Sequence, residues 1–462
     1  MGNVNLSFLG ATDTVTGSRT LISTSTTHVL VDAGLYQGSS ANEDRNWEKL
    51  TVDPGTIDAV ILTHAHLDHC GYLPRLVSQG FNGKIFATKY TKALATIVMY
   101  DSAFLQMEDT KYALKKGYSK HKNPEPLYNS NDVEETLTLF HEVEFRNSVE
   151  ISQDFSFTFY PSGHILGSAF VVAEAEDKRL LFTSDLGRPS HPILISPDNP
   201  PALHYDAVIS ESTYGDRVHD TPTSVLADEI NAAVDRGGSI LIPAFAVDRT
   251  EVILMALHDL IDSKKIPAIP IFVDSPMALA SLNYYREAVI ADAPEIKTAF
   301  KDLYKNTDPF NPGTLEEMNS TEQSKSLNGR SESGIIISAS GMATGGRVVH
   351  HLANMLPDSK NTVMLVGFQA TGSRGRALEQ GAKTIRIHGD QIPVNAHIAK
   401  VESFSVHADS DELIRWLGGI EKPERAFVVH GEPDSSNFLA QRITNELGWK
   451  AEVPQFGRAI PL

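Results

Sequence analysis

The sequence predicts an α/β protein, and three observations carry that expectation. Short apolar runs alternate with longer runs of helical spacing almost throughout the chain. Turn residues punctuate the alternation, with no repeat at a fixed period and no low-complexity tract. Several apolar runs end directly on a His or Asp, the place where α/β sheets gather reactive groups.

In chain order, Val4–Leu9, Arg19–Ser23 and His28–Asp32 read as strands separated by Gly and Thr/Ser turns. Ala59–Leu62 is a fourth strand, running into a histidine cluster. After it, Leu73, Leu76 and Val77 fall at helical spacing, with Pro74 in the first turn, where a missing N–H costs little, and a stop at Gly80. Phe155–Tyr160, Ala169–Ala173, Arg179–Thr183 and Ala207–Ile209 follow as strands. A second series starts at Asp216, with strands Ser239–Pro243 and Pro270–Val273 around a helical Val252–Ile261, then Gly334–Ser338 and Thr362–Val366. The polar segment Asn306–Ser333 reads as an exposed excursion, and Val394–Leu462 repeats strand, helix, strand, helix.

At roughly 150 residues per domain, 462 residues make about three domain-sized units or two larger ones. A composition of 41% hydrophobic and 21% charged residues is that of an ordinary globular enzyme, not a disordered or fibrous chain. The formal net charge of −18 argues against a protein that coats nucleic acid through bulk positive charge, while leaving room for one local basic groove. Cys70 is the single cysteine, which excludes an internal disulfide and a thiolate-caged zinc. The first residues lack the basic stretch and apolar core of a signal peptide. No apolar run nears the roughly 20 residues of a membrane span, and the longest, Ile240–Val247, is broken by Pro243. A cytoplasmic protein without a membrane partner is the expectation.

The stretch AVILTHAHLDHC, Ala59–Cys70, holds the most information. In an extended segment His64, His66 and Asp68 alternate and point the same way, and His69 breaks the period where a strand gives way to a helix. Imidazoles and a carboxylate without Cys suit zinc. One ion cannot easily use all four, because Asp68 and His69 diverge from the His64/His66 pair, so two ions completed by remote ligands are expected. His164, Asp185 and His430 each follow an apolar run and stand beside Gly or Ser, and they are the remote candidates.

These residues together resemble the metal motifs of the metallo-β-lactamase fold. Asp32, in VLVDAG, resembles that fold's strand-end aspartate, which orients ligands from behind them. The long stretch after Glu211 resembles the β-CASP domain of RNA- and DNA-processing nucleases. The matching stretches are SESTYGDR (Ser210–Arg217), IPAFAVDRT (Ile242–Thr250), FVDSPMA (Phe272–Ala278), SASGMATGGR (Ser338–Arg347), VGFQATGSRGRAL (Val366–Leu378) and SFSVHADSDEL (Ser403–Leu413). The likeness covers nearly the whole chain. It implies a metallo-β-lactamase αβ/βα four-layer sandwich over 1–212 and 394–462, with an α/β β-CASP domain inserted at 213–393. Glu211, His407 and His430 stand at the family's motifs A, B and C, and a histidine at motif C goes with RNA-directed members.

The resemblance implies a zinc ribonuclease acting on single-stranded RNA. It gives His64, His66 and His164 to one Zn²⁺, Asp68, His69 and His430 to a second, and Asp185 to both. A metal-activated hydroxide would attack phosphorus, and His407, oriented by Glu211, would protonate the leaving 3′-oxygen. Products would carry 5′-phosphate and 3′-hydroxyl ends, with internal and 5′-end cleavage both open. Consecutive backbone N–H groups in Gly-rich loops can cradle phosphate. Ser340, Gly341, Met342 and Arg347, then Gly372, Ser373, Arg374 and Arg376, are the loop candidates, with Phe245, Arg249 and Ser405 beside them. With no further RNA-binding module read from the sequence, tight binding of long RNA calls for a homodimer. Three rivals remain at this point. A hydrolase of a small ester or lactone has no use for motifs A and B or the insert, a DNA nuclease is disfavoured by His430, and a non-catalytic RNA-binding relative is disfavoured by the complete ligand set.

Overall fold

The computed structural model describes residues 4–116, 124–219, 224–305, 307–401 and 404–462. Residues 1–3 of the N-terminal segment, Asn306 at the head of the polar segment and Ser403 of the last matching stretch lie outside the described residues. The chain divides into two units, one made of Met1–Val218 with Val406–Leu462, the other of His219–Ser405.

The first unit holds two seven-stranded sheets. One runs, in spatial order, Ala459–Pro461, Asn5–Phe8, Thr20–Ser23, His28–Val31, Ala59–Ile61, Lys84–Ala87 and Phe140–Glu142. The other runs Ala451–Glu452, Arg425–Val428, Ala207–Ser210, Lys178–Phe182, Ala169–Ala175, Phe155–Pro161 and Ser148–Ser152. Period-two alternation sends one set of side chains between the sheets. Leu6, Phe8, Val29, Val31 and Ile61 there share a core with Phe155, Phe157, Phe159, Val171, Leu180 and Phe427. Burying a Phe side chain is worth about 1.5–3 kcal/mol, so a one-residue slip exposing Phe155, Phe157 and Phe159 together would cost roughly 5–9 kcal/mol. That fixes the register Phe157↔Ala173.

The outer face of the second sheet (Phe170, Val172, Leu181, Val208, Val428) is covered by Leu413, Leu417 and Leu439 of helices Ser410–Leu417 and Pro433–Arg442. On the first sheet, Leu30, Val60 and Ile85 are buried on the face opposite the shared core. Helices Leu73–Ser78, Lys89–Lys116 and Ser130–Leu137 pack on one another at its Phe140–Glu142 edge. The unit is therefore an αβ/βα sandwich.

The strand directions decide where chemistry collects. His28–Val31 and Ala59–Ile61 are parallel, as are Lys178–Phe182, Ala207–Ser210 and Arg425–Val428. Phe155–Pro161, antiparallel to a strand that is antiparallel to Lys178–Phe182, runs the same way as these last three. Their carboxyl ends deliver Asp32, His64, Asp185, Glu211, His430 and His164.

The second unit is built on a six-stranded, wholly parallel sheet of Leu315–Glu317, Ile271–Val273, Ile335–Ser338, Ile240–Pro243, Thr362–Leu365 and His397–Lys400. Its central strands are buried on both faces, as their unbroken apolar runs require. Two sequence expectations are corrected here. The segment after Asn306 is no mere excursion: Leu315–Glu317 forms the sheet edge, and Phe310, Met318 and Leu327 are buried anchors spaced too widely to give a periodic signal. The return to the first unit comes at Val406, not at 394, because His397–Lys400 pairs with Thr362–Leu365 inside the second sheet.

Candidate metal centre

The site is built entirely within the first unit. After Ala59–Ile61 the chain stays extended through His66, then winds into the short helix Leu67–Cys70. His64 and His66 sit on the extended part, whereas Asp68 and His69 sit on the helical turn. The expected alternation thus stops at His66, and Asp68 leaves the His64/His66 pair to join His69. Asp32, Ser184 and His430 take left-handed backbone, with φ of 60°, 50° and 54°, just past the ends of their strands. Such backbone costs about 1–3 kcal/mol per residue and persists where the surroundings hold it, as at functional sites.

Two groups of ligands result: His64, His66, His164 and Asp185 in one, Asp68, His69 and His430 in the other. In the first, His164 Nε2 lies 3.1 Å from His66 Nδ1, and Asp185 Oδ2 lies 3.4 Å from His64 Nε2 and 3.6 Å from His164 Nε2. In the second, His69 Nε2 and His430 Nε2 are 3.1 Å apart, with Asp68 Oδ2 3.4 Å from His430 Nε2. Asp185 turns its other oxygen to this group, Oδ1 being 3.4 Å from His69 Nε2 and 3.5 Å from His430 Nδ1. One carboxylate thus faces both groups. His64 Nε2 and Asp185 Oδ1 are buried with no hydrogen-bond partner among the described residues. Orphaned buried donors and acceptors are costly. Imidazole nitrogens converging on one another and on carboxylates are the donor set of a divalent metal, and the residues fit one.

The electrostatics agree. Burial pushes His64 down to about 3 and His66 down to about 4, and it carries His164 well below the usual histidine range, which keeps these rings neutral and able to donate lone pairs. Burial alone would raise Asp68 and Asp185, but the surrounding histidines, His430 foremost, hold both below the usual carboxylate range. Burial also opposes charge on His69 and His430, and there Asp185 outweighs it and moves both above the usual histidine range.

Beside the metal groups, His407 Nδ1 faces Glu211 Oε2 at 3.2 Å and Asp185 Oδ2 at 3.9 Å. Glu211 is buried, and its Oε1 accepts the Leu186 backbone N–H at 2.7 Å. The His407 side chain keeps 15% of its surface exposed, which leaves an approach for a reacting group.

The sequence reading missed three hydroxyls. Thr213 Oγ1 lies 3.1 Å from His430 Nδ1, and Thr63 and Ser184 stand behind His64. The available signal was position: Thr63 and Ser184 adjoin His64 and Asp185, and Thr213 stands two residues after Glu211. Asp32 accepts from His69 Nδ1 at 2.7 Å.

Gly34 brings the two halves of this wall together. Ala33 N–H and Leu35 N–H donate to the carbonyls of His69 and Leu67, and a Cβ at Gly34 would fall 1.6 Å from the Asp68 carbonyl oxygen. Gly34→Ala must displace the turn that carries Asp68 and His69. The expected outcome is a loss of about 1–3 kcal/mol in stability, read by thermal melting, together with weaker metal uptake. Wild-type melting and uptake would overturn the claim.

Phe245, Arg249, Ser340, Gly341, Met342, Arg347, Gly372, Ser373, Arg374, Arg376 and Ser405 all belong to the second unit. There the guanidinium groups have internal partners. Arg347 Nη1 pairs with Asp274 Oδ1 at 2.6 Å, Arg374 Nη1 donates to the Thr344 carbonyl at 2.8 Å, Arg376 pairs with Glu379 at 3.0 Å, and Arg249 donates to the Val366 carbonyl. The two Gly-rich loops are stitched together, Gln369 Nε2 donating to the Gly341 carbonyl at 3.0 Å and Gly375 N–H to the Met342 carbonyl at 3.1 Å.

A metallo-β-lactamase superfamily model matches residues 13–212, a β-CASP domain model 250–378, and a Zn-dependent metallo-hydrolase RNA specificity domain model 391–454. Ribonuclease TTHA0252 of Thermus thermophilus is 35% identical over 98% of this chain and 99% of its own. The chain belongs to the β-CASP branch of the metallo-β-lactamase superfamily. An RNase J-like protein of Methanocaldococcus jannaschii is 31% identical over 99% of this chain and 100% of its own. A crystal structure of a protein of unknown function from Enterococcus faecalis, 13% identical and covering 100% of both chains, superposes with a TM-score of 0.52 and shares the fold. The β-CASP match lies within the second unit, and the His/Asp groups of the first unit suit a divalent metal. No helix among the described residues is long and apolar enough to cross a membrane.

Proposed function

We propose that this protein is a zinc-dependent ribonuclease that hydrolyses phosphodiester bonds of single-stranded RNA, leaving 5′-phosphate and 3′-hydroxyl ends. The observation that carries the reading is the placement of Asp185 between two histidine-rich groups, with the His407–Glu211 pair alongside. The ribonuclease and RNase J-like names of two full-length relatives support an RNA substrate.

His64, His66 and His164 would hold one Zn²⁺, Asp68, His69 and His430 the other, with Asp185 shared. Ions held there supply an activated water and neutralise charge that builds on the phosphoryl oxygens. The chain's own groups do the rest. Glu211 accepts from His407 Nδ1 and orients the ring, so that a proton on Nε2 can pass to the leaving 3′-oxygen. Asp32 holds His69 by its Nδ1 so that Nε2 faces the metal group. The 2′-hydroxyl takes no part in this chemistry, so discrimination of RNA from DNA falls to sugar contacts outside the metal groups. The loops carrying Gly341, Met342, Ser373 and Arg374 are proposed to meet the phosphate backbone through their N–H groups, because the arginine side chains are occupied in bracing them. The proposed setting is the cytoplasm, where the single buried thiol of Cys70 needs no partner. Homodimerisation would enlarge the RNA-contacting surface that a chain of net charge −18 offers.

Zinc-loaded protein incubated with 5′-labelled single-stranded RNA and with DNA of the same sequence tests the reading in one gel. RNA should be cut to products bearing 5′-phosphates while DNA stays intact, and the fragment ladder separates internal from 5′-end cleavage. Equal cutting of DNA, or hydrolysis of a small ester but not of RNA, would overturn it.

A further inference from the structure

One buried hydroxyl stands between the two ligand groups. Asp32 offers only acceptors. His69 Nδ1 lies 2.7 Å from its Oδ2, so the ring donates there and turns its Nε2 lone pair to the metal group. Thr63 approaches the same carboxylate twice, its N–H 2.8 Å from Oδ1 and its Oγ1 3.0 and 2.9 Å from the two oxygens. The hydroxyl proton of Thr63 is therefore committed to Asp32.

With its proton committed, Thr63 Oγ1 can only accept. Ser184 Oγ spends its one proton on it at 2.6 Å, so both hydroxyl oxygens near His64 Nδ1, Thr63 Oγ1 at 3.2 Å and Ser184 Oγ at 3.4 Å, can only accept from that ring. His64 must then carry its proton on Nδ1. That leaves the lone pair on Nε2, the buried atom without a hydrogen-bond partner that faces Asp185 Oδ2 at 3.4 Å. A carboxylate that fixes His69 directly thus fixes His64 through one intervening hydroxyl. Asp32, Thr63, His64 and His69 are all buried, so no competing hydrogen bonds with bulk water blur the polarity.

We propose that Thr63 is a positioning residue that couples the two halves of the metal centre, setting the tautomer of a ligand in each group from the single Asp32 carboxylate, so that the two ions are bound as a pair. The proposal rests on the metal-centre reading above. It goes beyond Asp185, whose bridging acts through the ions, by giving the groups a second connection made of protein alone.

Zinc titration of the metal-free full-length protein against a chromophoric chelator tests it. Thr63→Val keeps the shape and removes the hydroxyl, and it should weaken the binding of both ions by about 10–100-fold, the usual cost of losing an outer partner of a metal ligand. Thr63→Ser restores the hydroxyl and should return both affinities to within a few-fold of wild type. A purely structural threonine would instead lower the melting temperature of the metal-free protein and leave both affinities in place. Wild-type affinities in a folded Thr63→Val protein, or a loss confined to one ion, would overturn the coupling. Should Thr63→Val not fold, Asp32→Asn asks the same question. Weakened binding of both ions sustains the coupling, and weakening of one alone removes it. Failure of the wild-type protein to take up any divalent ion would instead refute the metal centre itself, which keeps the two ideas separate.

Discussion

His407→Ala is expected to keep its full complement of metal and to lose about 10²–10⁴-fold in turnover, the range a positioned proton donor supplies. The two halves of that expectation come from different distances. His407 stands outside both ligand groups, its Nδ1 3.9 Å from Asp185 Oδ2 and its ring packed on that of His164, so removing it leaves each ion its ligands. Its Nδ1 is turned to Glu211, and the ring keeps a solvent-facing edge, so removing it takes away an imidazole placed to meet the leaving group. The assignment can be separated from a general loss of order by the leaving group. An RNA analogue with sulfur in place of the scissile 3′-oxygen expels a thiolate, which leaves without protonation. On that substrate the variant should recover most of the lost rate, and Glu211→Gln should behave in parallel but more mildly. A variant with wild-type turnover, or one equally slow on both substrates, would remove His407 from the proton-donor role. Metal loss from His407→Ala would instead make it a ligand.

How much of this was legible in the sequence depends on the physical alternatives open to each residue. His64, His66, His69, His164, Asp185 and His430 stood out because few structures profit from a histidine or aspartate at the mouth of an apolar strand. Spacing separated one metal group from the other but overextended the alternation to Asp68, since nothing in LDHC announces that a helix starts two residues early. Thr63, Ser184 and Thr213 were silent for the opposite reason: a threonine or serine in a turn satisfies itself in many ways, and only coordinates say which acceptor takes its proton. The arginines of the Gly-rich loops carried a misleading signal. Guanidinium groups half-buried beside carbonyls and carboxylates bind what is nearest, and Asp274, Glu379 and the Thr344 carbonyl were invisible as neighbours in one dimension. The helix Lys89–Lys116 left no apolar stripe, because its first half is buried around Leu94, Val98 and Met99 while Phe104, Tyr112 and Leu114 in its second half are exposed.

Asp185→Ala is expected to have the largest effect on metal content, a loss of at least one ion per chain with turnover falling below detection. Loss of an outer partner typically costs a metal site about 10–100-fold, and Asp185 offers one oxygen to each group directly, so its removal should exceed that range for at least one ion. The charge balance points the same way. Without Asp185, His69 and His430 face each other at 3.1 Å between their Nε2 atoms with fewer carboxylates opposing them, and the ions too would lose the carboxylate that best offsets their mutual repulsion. Asp185→Asn sharpens the test, because an amide keeps one oxygen but cannot serve both groups as an anion. It should weaken metal binding less than the Ala variant does, so that metal analysis gives an ordered series of wild type, Asn and Ala. Unchanged zinc in the Ala variant would mean that Asp185 is held between the histidines by their charge alone, and the shared-ligand arrangement would have to be given up.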